Sequence, residues 1–182
     1  MRISLRRVSA EALACRRCSG SLEPNPVFRA RAAARLLIVG QAPGRRVHAT
    51  GIPWNDPSGD VLREWLAMDR ETFYDARRIA IADLPPAPRC APLWQPRFRA
   101  ALPRIELTLL VGSYAQKHYL GVRRKSSLTE TVRAFRDYLP EFFPLPHPSW
   151  RNLAWRRKHP WFEREVLPVL RARVTAIIAR SS

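Results

Sequence analysis

The sequence predicts an α/β fold: a three-layer αβα sandwich around a central four-stranded parallel sheet. Two observations lead to this prediction. Four short apolar runs alternate with longer amphipathic segments, and strands that alternate with helices form parallel sheets covered on both faces. The chain has 182 residues, 46% of them apolar, which is enough to bury the core of one domain. We therefore expect residues 1–182 to form a single domain.

The predicted strands are apolar runs that lie within residues 34–40, 77–83, 105–112 and 141–146. Continuous apolar runs of this length are typical of strands buried on both faces of a sheet. In open α/β sheets, ligands bind outside the carboxyl ends of the strands. The residues that follow each run are therefore where a functional site is expected.

The predicted helices are the amphipathic segments 56–68, 92–105, 113–121, 128–139 and 160–180. Ser58 is expected to cap the first helix, and prolines are expected to break the second. Gly121 should end the third helix, and Pro168 should kink the last. Residues 1–31 precede the first strand and are expected to be irregular.

The chain carries a net charge of +17, and almost all of its basic residues are arginines. An Arg-rich proteome could explain the preference for Arg over Lys, but it does not explain the excess of positive charge. Phosphate binding does, because guanidinium groups bind phosphate oxygens bidentately. No apolar stretch reaches the roughly 18–20 residues of a membrane span, and the N-terminus lacks the apolar segment of a secretory signal. We expect a soluble, cytoplasmic protein that binds nucleic acid.

Characteristic motifs follow the first and last predicted strands. "GQAPG" occupies residues 40–44, "GIPWNDPSG" occupies 51–59, and "HPSWRN" occupies 147–152. Four of the seven glycines lie between residues 40 and 59, where the backbone must turn tightly or let a ligand approach closely. An ordinary strand-to-helix turn is one interpretation. A nucleoside-triphosphate loop is another, but no Gly-Lys-Ser/Thr follows.

Taken in order, these motifs resemble those of the uracil-DNA glycosylase superfamily, and the likeness extends from about Cys15 to Arg173. The nearest branches are bacterial and archaeal ones with Ala-Pro in the first motif, including iron–sulfur-type members. The resemblance implies a monomeric enzyme of base-excision repair, associated with the bacterial nucleoid. It would flip uracil or a related deaminated base out of single- or double-stranded DNA and hydrolyse its N-glycosidic bond. The alternatives are a catalytically weak or inactive DNA-binding homologue and a nucleotide-processing enzyme that acts on small substrates.

Two residues are candidates for catalysis. When the N-glycosidic bond breaks, the sugar becomes oxocarbenium-like and the base becomes an anion. The resemblance places His147 against the uracil O2, where a donor stabilises that charge, and Pro146 and Pro148 should hold it there. Asp56 matches an acid implicated in catalysis in one branch, and it could orient water and stabilise the sugar cation. The alternatives are a structural His147 and an Asp56 that only caps a helix.

The resemblance also implies residues that bind the base and the DNA. The expected substrate-binding residues are Gly40, Gln41, Ala42, Pro43, Gly44, Trp54, Ser149 and Asn152, and those expected at the DNA are Ser58, Trp150 and Arg151. Trp54 matches an aromatic on which uracil stacks, although it could simply pack in the core. Asn152 could hold its loop or touch the base. Other branches carry an acid where this chain has Gln41 or Ala42; Gln cannot act as a base, which predicts a slow or narrowly specific enzyme.

The three cysteines raise the question of a metal site. By resemblance, Cys15, Cys18 and Cys90 match ligands of a structural 4Fe–4S cluster, but the fourth cysteine is absent. Three cysteines could still hold a cluster or a zinc ion with a fourth ligand from His or solvent, and free thiols are the alternative. No cofactor is required for the chemistry. The chain passes directly from Asp83 to "LPPAPRC", where relatives carry a longer loop that tends to contact the base, so the sequence does not locate a base-recognition residue.

Overall fold

The computed structural model describes residues 3–17, 19–20, 23–41, 44–83 and 90–180. Within them the chain forms one sheet from β1 (Phe28–Arg29), β2 (Leu36–Val39), β3 (Ile79–Ala82), β4 (Leu107–Val111) and β5 (Phe142–Leu145). The strand order is β1-β3-β2-β4-β5. Strands β2 to β5 pair in parallel, and β1 pairs antiparallel with β3. The predicted four-stranded parallel sheet is confirmed, and β1 adds a short antiparallel edge.

The described helices are α1 (Leu5–Leu13), α2 (Arg45–Thr50), α3 (Pro57–Leu66), α4 (Arg70–Tyr74), α5 (Cys90–Ala101), α6 (Ser113–Leu120), α7 (Leu128–Arg133), α8 (Leu153–Lys158) and α9 (Leu167–Ala179). Single 3₁₀ turns lie at Gly121–Arg123, Phe135–Tyr138 and Trp150–Asn152. A π-helical turn, Phe162–Val166, leads into α9. None of the helices in the described part of the chain is long and apolar enough to cross a membrane.

The sheet is buried on both faces because successive side chains of each strand point to opposite sides. Leu36 and Ile38 of β2 pack into a cluster with residues of α3, α7 and α9. Leu37 and Val39 belong to a second cluster, which includes residues of α6. Helices α1 and α5 pack together in a third cluster. The strands are buried to their last residues, Val39, Ala82, Val111 and Leu145, so a site at the carboxyl edge must be built from the residues that follow them.

The N-cap of α3 lies two residues before the predicted N-cap. Its N-cap is Asp56, whose Oδ1 accepts the Gly59 N–H over 2.9 Å, so the assignment of Ser58 as cap was wrong. Pro57 occupies the first helical position, where its missing N–H costs nothing and its fixed φ favours the helix. Ser58 lies in the first turn and is half-buried. Asp56 therefore caps α3.

The other helices depart from the predictions where tertiary packing overrides local preference. The N-terminal segment, expected to be irregular, contains α1, whose Val8 and Ala12 are buried against α5. Helix α5 is continuous although Pro96 lies inside it, because its apolar side chains pack against α1. The segment 128–139 divides into α7 and a 3₁₀ turn. Before Pro168 the helix adopts the π-helical turn, a known way to accommodate proline within a helix.

Candidate active site

A pocket opens at the carboxyl edge of the sheet, where the strand order changes direction between β2 and β4. Its volume is about 140 Å³, and its lining residues are Gln41, Gly44, Val47, Trp54, Asp56, Asp83 and His147. An apolar cavity of about 150 Å³ holds one benzene molecule, so the pocket has room for one six-membered ring. Its lining comes from the residues after β2, from the start of α3, and from the residues after β3 and β5.

The structure brings most of the predicted base-binding residues together. Gln41, Gly44, Trp54, Asp56 and His147 line the pocket. Gly40 lies behind this wall: a Cβ placed there would come within 2.5 Å of the Trp54 ring and 2.6 Å of Asp83 Oδ1. Glycine is therefore required at position 40 by close packing. Two further predicted residues, Ala42 and Pro43, lie outside the described residues.

Trp54 is both a core residue and a wall of the pocket. Its side chain is only 5% exposed and belongs to the main core cluster, so the two interpretations of this residue are compatible. Its φ of +57° is rare for a bulky residue and costs on the order of 1–3 kcal/mol. The backbone is held in this conformation by Arg63, whose Nη1 donates to the Trp54 carbonyl, and by Gly59, whose missing side chain leaves room for that carbonyl.

Asp56 combines a structural contact with a position in the pocket. Its Oδ1 caps α3, and no donor among the described residues reaches its Oδ2. Burial raises the pKa of Asp83 and lowers that of His147; the charge of Asp56 adds to the rise at Asp83 and opposes the fall at His147. A carboxylate in this position can accept a hydrogen bond from water or stabilise a nearby cation.

His147 is held so that only one ring nitrogen is available to a ligand. Nδ1 is buried without a hydrogen-bond partner in the described part of the chain. Burial lowers the pKa of His147, and the charge of Asp56 only partly opposes this, so the imidazole is neutral at pH 7. A buried N–H without a partner is rarer than a buried acceptor without one. The single proton is therefore best placed on Nε2, which makes His147 a neutral donor toward the pocket.

The ring of His147 is positioned by its neighbours. Its centroid lies 5.6 Å from that of Trp54, and the planes are tilted by 31°. Gly112 follows β4 with φ +88°, and a Cβ at this glycine would lie 3.5 Å from the His147 Cβ and 3.6 Å from its ring Cδ2. Pro146 and Pro148 are buried on either side of His147, as the sequence predicts for a rigid segment.

Asp83 is a pocket residue that sequence reasoning did not assign. It follows β3 directly, and its Oδ1 accepts the Gly40 N–H over 2.8 Å and the Trp54 Nε1–H over 3.2 Å. Burial raises the pKa of Asp83 to about 7; the two donated hydrogen bonds oppose the rise, and the charge of Asp56 adds to it. One sequence signal could have found it, because an acid that immediately follows a buried parallel strand stands at the ligand-binding edge.

The loop after His147 presents its tip to solvent. Asn152 Nδ2 donates to the His147 carbonyl over 2.7 Å, so this residue holds the loop, which favours one of the two roles considered for it. Ser149 is half-buried and does not line the pocket. Trp150 is 81% exposed, and the Arg151 guanidinium lies 5.6 Å from its ring centroid. An exposed aromatic paired with a cation is suited to stacking on bases and contacting phosphate.

Cations that make no ion pair within the described residues stand near the pocket. Arg45 and Arg46 begin α2, next to the loop after β2, and both are exposed. Arg157 and Lys158 lie in α8, which follows the exposed loop, and are also exposed. The pocket lining contains two acids and one imidazole, so these cations lie outside it. This distribution suits a polyanion that passes over the mouth.

The cysteines do not assemble into a metal site in the part of the chain that is described. Cys15 is half-buried, Cys90 begins α5 in the buried cluster with α1, and Cys18 lies outside the described residues. No group of three His, Cys, Asp or Glu side chains able to hold a metal ion occurs among the described residues. Because Cys18 lies outside the described residues, the iron–sulfur cluster stays a prediction.

A ring-sized polar pocket lies at the carboxyl edge of the parallel sheet, next to a helix that begins with two exposed arginines, and this arrangement suits a planar ring beside a polyanion. A comparison with known families agrees. The family model described as the Uracil DNA glycosylase superfamily matches residues 28–171. The chain belongs to this superfamily, which at the family level is a group of DNA glycosylases. The match includes β1 to β5 and every residue that lines the pocket.

Proposed function

We propose that this protein is a DNA glycosylase that hydrolyses the N-glycosidic bond of uracil, or of a related deaminated base, flipped out of DNA during base-excision repair. The observation that carries the proposal is the pairing of His147 and Asp56 in a pocket with room for one ring. Each side chain suits one of the two charges that develop when the bond breaks. Membership of the superfamily supports the same reaction class.

In the proposed reaction, the bond between the sugar C1′ and the base nitrogen breaks, and its electron pair leaves with the base. His147, neutral and protonated at Nε2, donates to the base oxygen on which negative charge develops. A neutral donor avoids the desolvation cost that an imidazolium would incur in a half-buried site. One such donor typically contributes roughly 3–4 kcal/mol of transition-state stabilisation.

Asp56 serves the sugar. The oxocarbenium-like C1′ is positive, and the carboxylate stabilises it and orients a water molecule for attack. Water adds through oxygen to C1′ and loses one proton, and the departing base anion takes up one proton, so the reaction balances. Gln41 also lines the pocket and can position this water, although it cannot deprotonate it. Because Gln41 cannot deprotonate the water, we expect a slow enzyme.

The DNA would lie across the pocket mouth. Arg151 and the exposed cations of α2 and α8 would meet phosphates, and Trp150 would stack in the gap that the flipped base leaves. Ser149 and Ser58 are proposed as minor backbone contacts. We expect the protein to act as a monomer, in the bacterial cytoplasm at the nucleoid, with no cofactor needed for the chemistry.

The test offers purified protein oligonucleotides with uracil opposite G, opposite A or in a single strand. The protein is prepared from a host that lacks its own uracil-DNA glycosylases, and abasic sites are detected by alkaline cleavage. We expect release under single-turnover conditions from at least one substrate. Intact DNA binding with no release from any substrate would establish the alternative, an inactive DNA-binding homologue.

A further inference from the structure

Two exposed aromatic side chains stand at the carboxyl edge of the sheet. Among the exposed large apolar residues in the described part of the chain, only Tyr114 and Trp150 are aromatic, with 67% and 81% of their surface exposed. Tyr114 lies in the first turn of α6, directly after β4, and Trp150 lies in the loop after β5. Single exposed apolar residues are common on protein surfaces, but these two rings stand where a ligand can cover them.

The two rings lie close to each other and to the pocket. Strands β4 and β5 pair in parallel, and neighbouring strands lie about 4.8 Å apart. The Gly112 N–H donates to the Leu145 carbonyl over 2.9 Å, and Gly112 also lies against His147. Tyr114 is two residues beyond Gly112. Trp150 is three residues beyond His147, and a chain spans at most about 3.6 Å per residue, so both rings stand within short reach of this wall of the pocket.

Each ring has a cation beside it. The Arg151 guanidinium lies 5.6 Å from the centroid of the Trp150 ring. Lys117 follows Tyr114 by three residues on α6 and is exposed, and residues three apart on a helix are neighbours on its surface. Within the described residues, neither Lys117 nor Arg151 makes an ion pair. Aromatic rings on which bases stack, combined with cations that meet phosphates, are typical of surfaces that bind single-stranded nucleic acid.

A DNA duplex has a use for only one of these rings. Each base of a duplex is stacked on its neighbours, so ring faces become accessible only in the gap that a flipped base leaves. Trp150 already suits that gap. The face of a second base becomes accessible only where the strand is unpaired and unstacked. Tyr114 therefore has a stacking partner in a single strand and none in a duplex.

We propose that Tyr114 is a second base-stacking platform and that it forms, with Lys117, Trp150 and Arg151, a surface for single-stranded DNA at the ends of β4 and β5. This inference rests on the proposed function and names the form of DNA that the site takes. A base next to the flipped nucleotide stacks on Tyr114, while Lys117 and Arg151 meet the phosphates. A base in an unpaired strand also costs the least energy to flip.

Two substitutions of Tyr114 separate the ring from its apolar surface. Tyr114→Phe keeps the aromatic face, and Tyr114→Leu keeps an apolar side chain without one. Val122→Ala is the matched control, because Val122 is also fully exposed but follows the C-terminus of α6, about 12 Å further along the helix. Both positions are exposed, so all three variants should unfold at the urea concentration of wild type.

Binding is measured by fluorescence anisotropy with an undamaged single strand and with the same sequence as a duplex, so the result does not depend on catalysis. Tyr114→Leu should weaken single-strand binding by roughly fivefold to a hundredfold and duplex binding by less than about twofold. Tyr114→Phe and Val122→Ala should bind both forms as wild type does. Equal losses of Tyr114→Leu on the two forms, no loss on either, or a loss in Tyr114→Phe as large as that in Tyr114→Leu would overturn the inference.

The salt dependence of single-strand binding gives a second measurement that needs no change at Tyr114. In Lys117→Ala, the slope of the logarithm of the binding constant against the logarithm of the salt concentration should become less negative by about 0.7. An unchanged slope would show that the strand does not pass along α6, which contradicts the proposed surface.

Uracil release then separates this inference from the proposed function. If wild type releases uracil from a single strand, Tyr114→Leu should raise KM by the factor measured in binding and leave kcat within about twofold, because Tyr114 does not line the pocket. Release with single-strand binding and KM unchanged in Tyr114→Leu would overturn the inference and leave the glycosylase proposal intact. If no protein releases uracil but the binding pattern holds, the glycosylase proposal fails and the single-strand surface stands.

Discussion

The indole nitrogen of Trp54 donates a hydrogen bond to Oδ1 of Asp83 over 3.2 Å, which joins the segment before α3 to the end of β3. The same oxygen accepts the Gly40 N–H, so three segments distant in the sequence meet at one atom. Trp54 is thus more than an aromatic surface. Its N–H also holds the carboxyl group of Asp83 in a single orientation.

Trp54→Phe should keep an aromatic face but remove this donor. We expect the free energy of unfolding to fall by about 1 to 3 kcal/mol, from the lost hydrogen bond and the smaller buried ring. Urea denaturation followed by circular dichroism measures the change. Trp150→Phe makes the same replacement at an 81% exposed position and should change stability by less than about 0.5 kcal/mol. Equal stability of both variants would contradict the structural role of Trp54.

The raised pKa of Asp83 predicts a pH-dependent stability. A carboxyl group whose pKa rises from 3.8 unfolded to about 7 folded stabilises the protein fully below pH 4, and the contribution is lost as the pH rises through 7. The free energy of unfolding of Asp83→Asn minus that of wild type should increase by up to about 1.4 kcal/mol per pH unit in this window. His147 has the opposite effect, because its lowered pKa reduces stability as the pH falls below 6.5. Both proteins contain His147, so its contribution cancels when their free energies of unfolding are subtracted.

This prediction is checked by urea unfolding at pH 5, 6, 7 and 8. Asp137→Asn controls for the loss of one negative charge, because it alters a side chain that is 57% exposed and pairs with Lys125. A difference curve for Asp83→Asn that is flat across the range would show that the folded state does not hold this proton.

His147→Ala should separate catalysis from binding. Removing the donor to the leaving base should slow single-turnover uracil release by roughly 10²- to 10³-fold. Affinity for undamaged DNA should stay within about twofold, because His147 belongs to the pocket and not to the exposed cations. His118→Ala alters a half-buried histidine of α6 that does not line the pocket, and it should leave the release rate unchanged. A parallel loss of binding and release in His147→Ala would argue against its assigned role.

Arg151 should contribute to the electrostatic component of DNA binding. In Arg151→Ala, the slope of the logarithm of the binding constant against the logarithm of the salt concentration should become less negative by about 0.9 on duplex DNA. Fluorescence anisotropy at four salt concentrations measures this slope. Arg104 is exposed just before β4, at the opposite edge of the sheet, so Arg104→Ala should not change it. Matching slopes for the two variants would remove Arg151 from the DNA contact.

Several parts of the site follow from the sequence because they depend on local pattern. The four apolar runs that became β2 to β5 carry no charged residue within the observed strands, and burial on both faces of a parallel sheet requires that composition. The rule that ligands bind at the carboxyl ends then pointed to Gly40 and His147, which follow β2 and β5. The resemblance to the superfamily singled out Trp54 and Asp56. The family match over residues 28–171 agrees with that reasoning.

Other parts could not be predicted because they depend on partners distant in the sequence. Helix α1 has no side-chain cap, and its buried face exists only because α5 covers it. Asp83 looked like the last residue of a strand, and nothing local indicates that Gly40 and Trp54 donate to it. Ser58 and Asp56 are both good caps by residue type, and the chain geometry before Pro57 selected Asp56.

The sequence by itself determined the alternating architecture and the edge at which the pocket lies, because hydrophobic period is a property of neighbouring residues. It also made Asp56 and His147 candidates, through motifs that resemble those of the superfamily. Only the tertiary structure decided how these groups are protonated and anchored. Burial raises the pKa of Asp83 and lowers that of His147, and the extent of burial is set by packing between segments more than forty residues apart. For that reason Asp83 could be recognised as a pocket residue only once the strands were side by side.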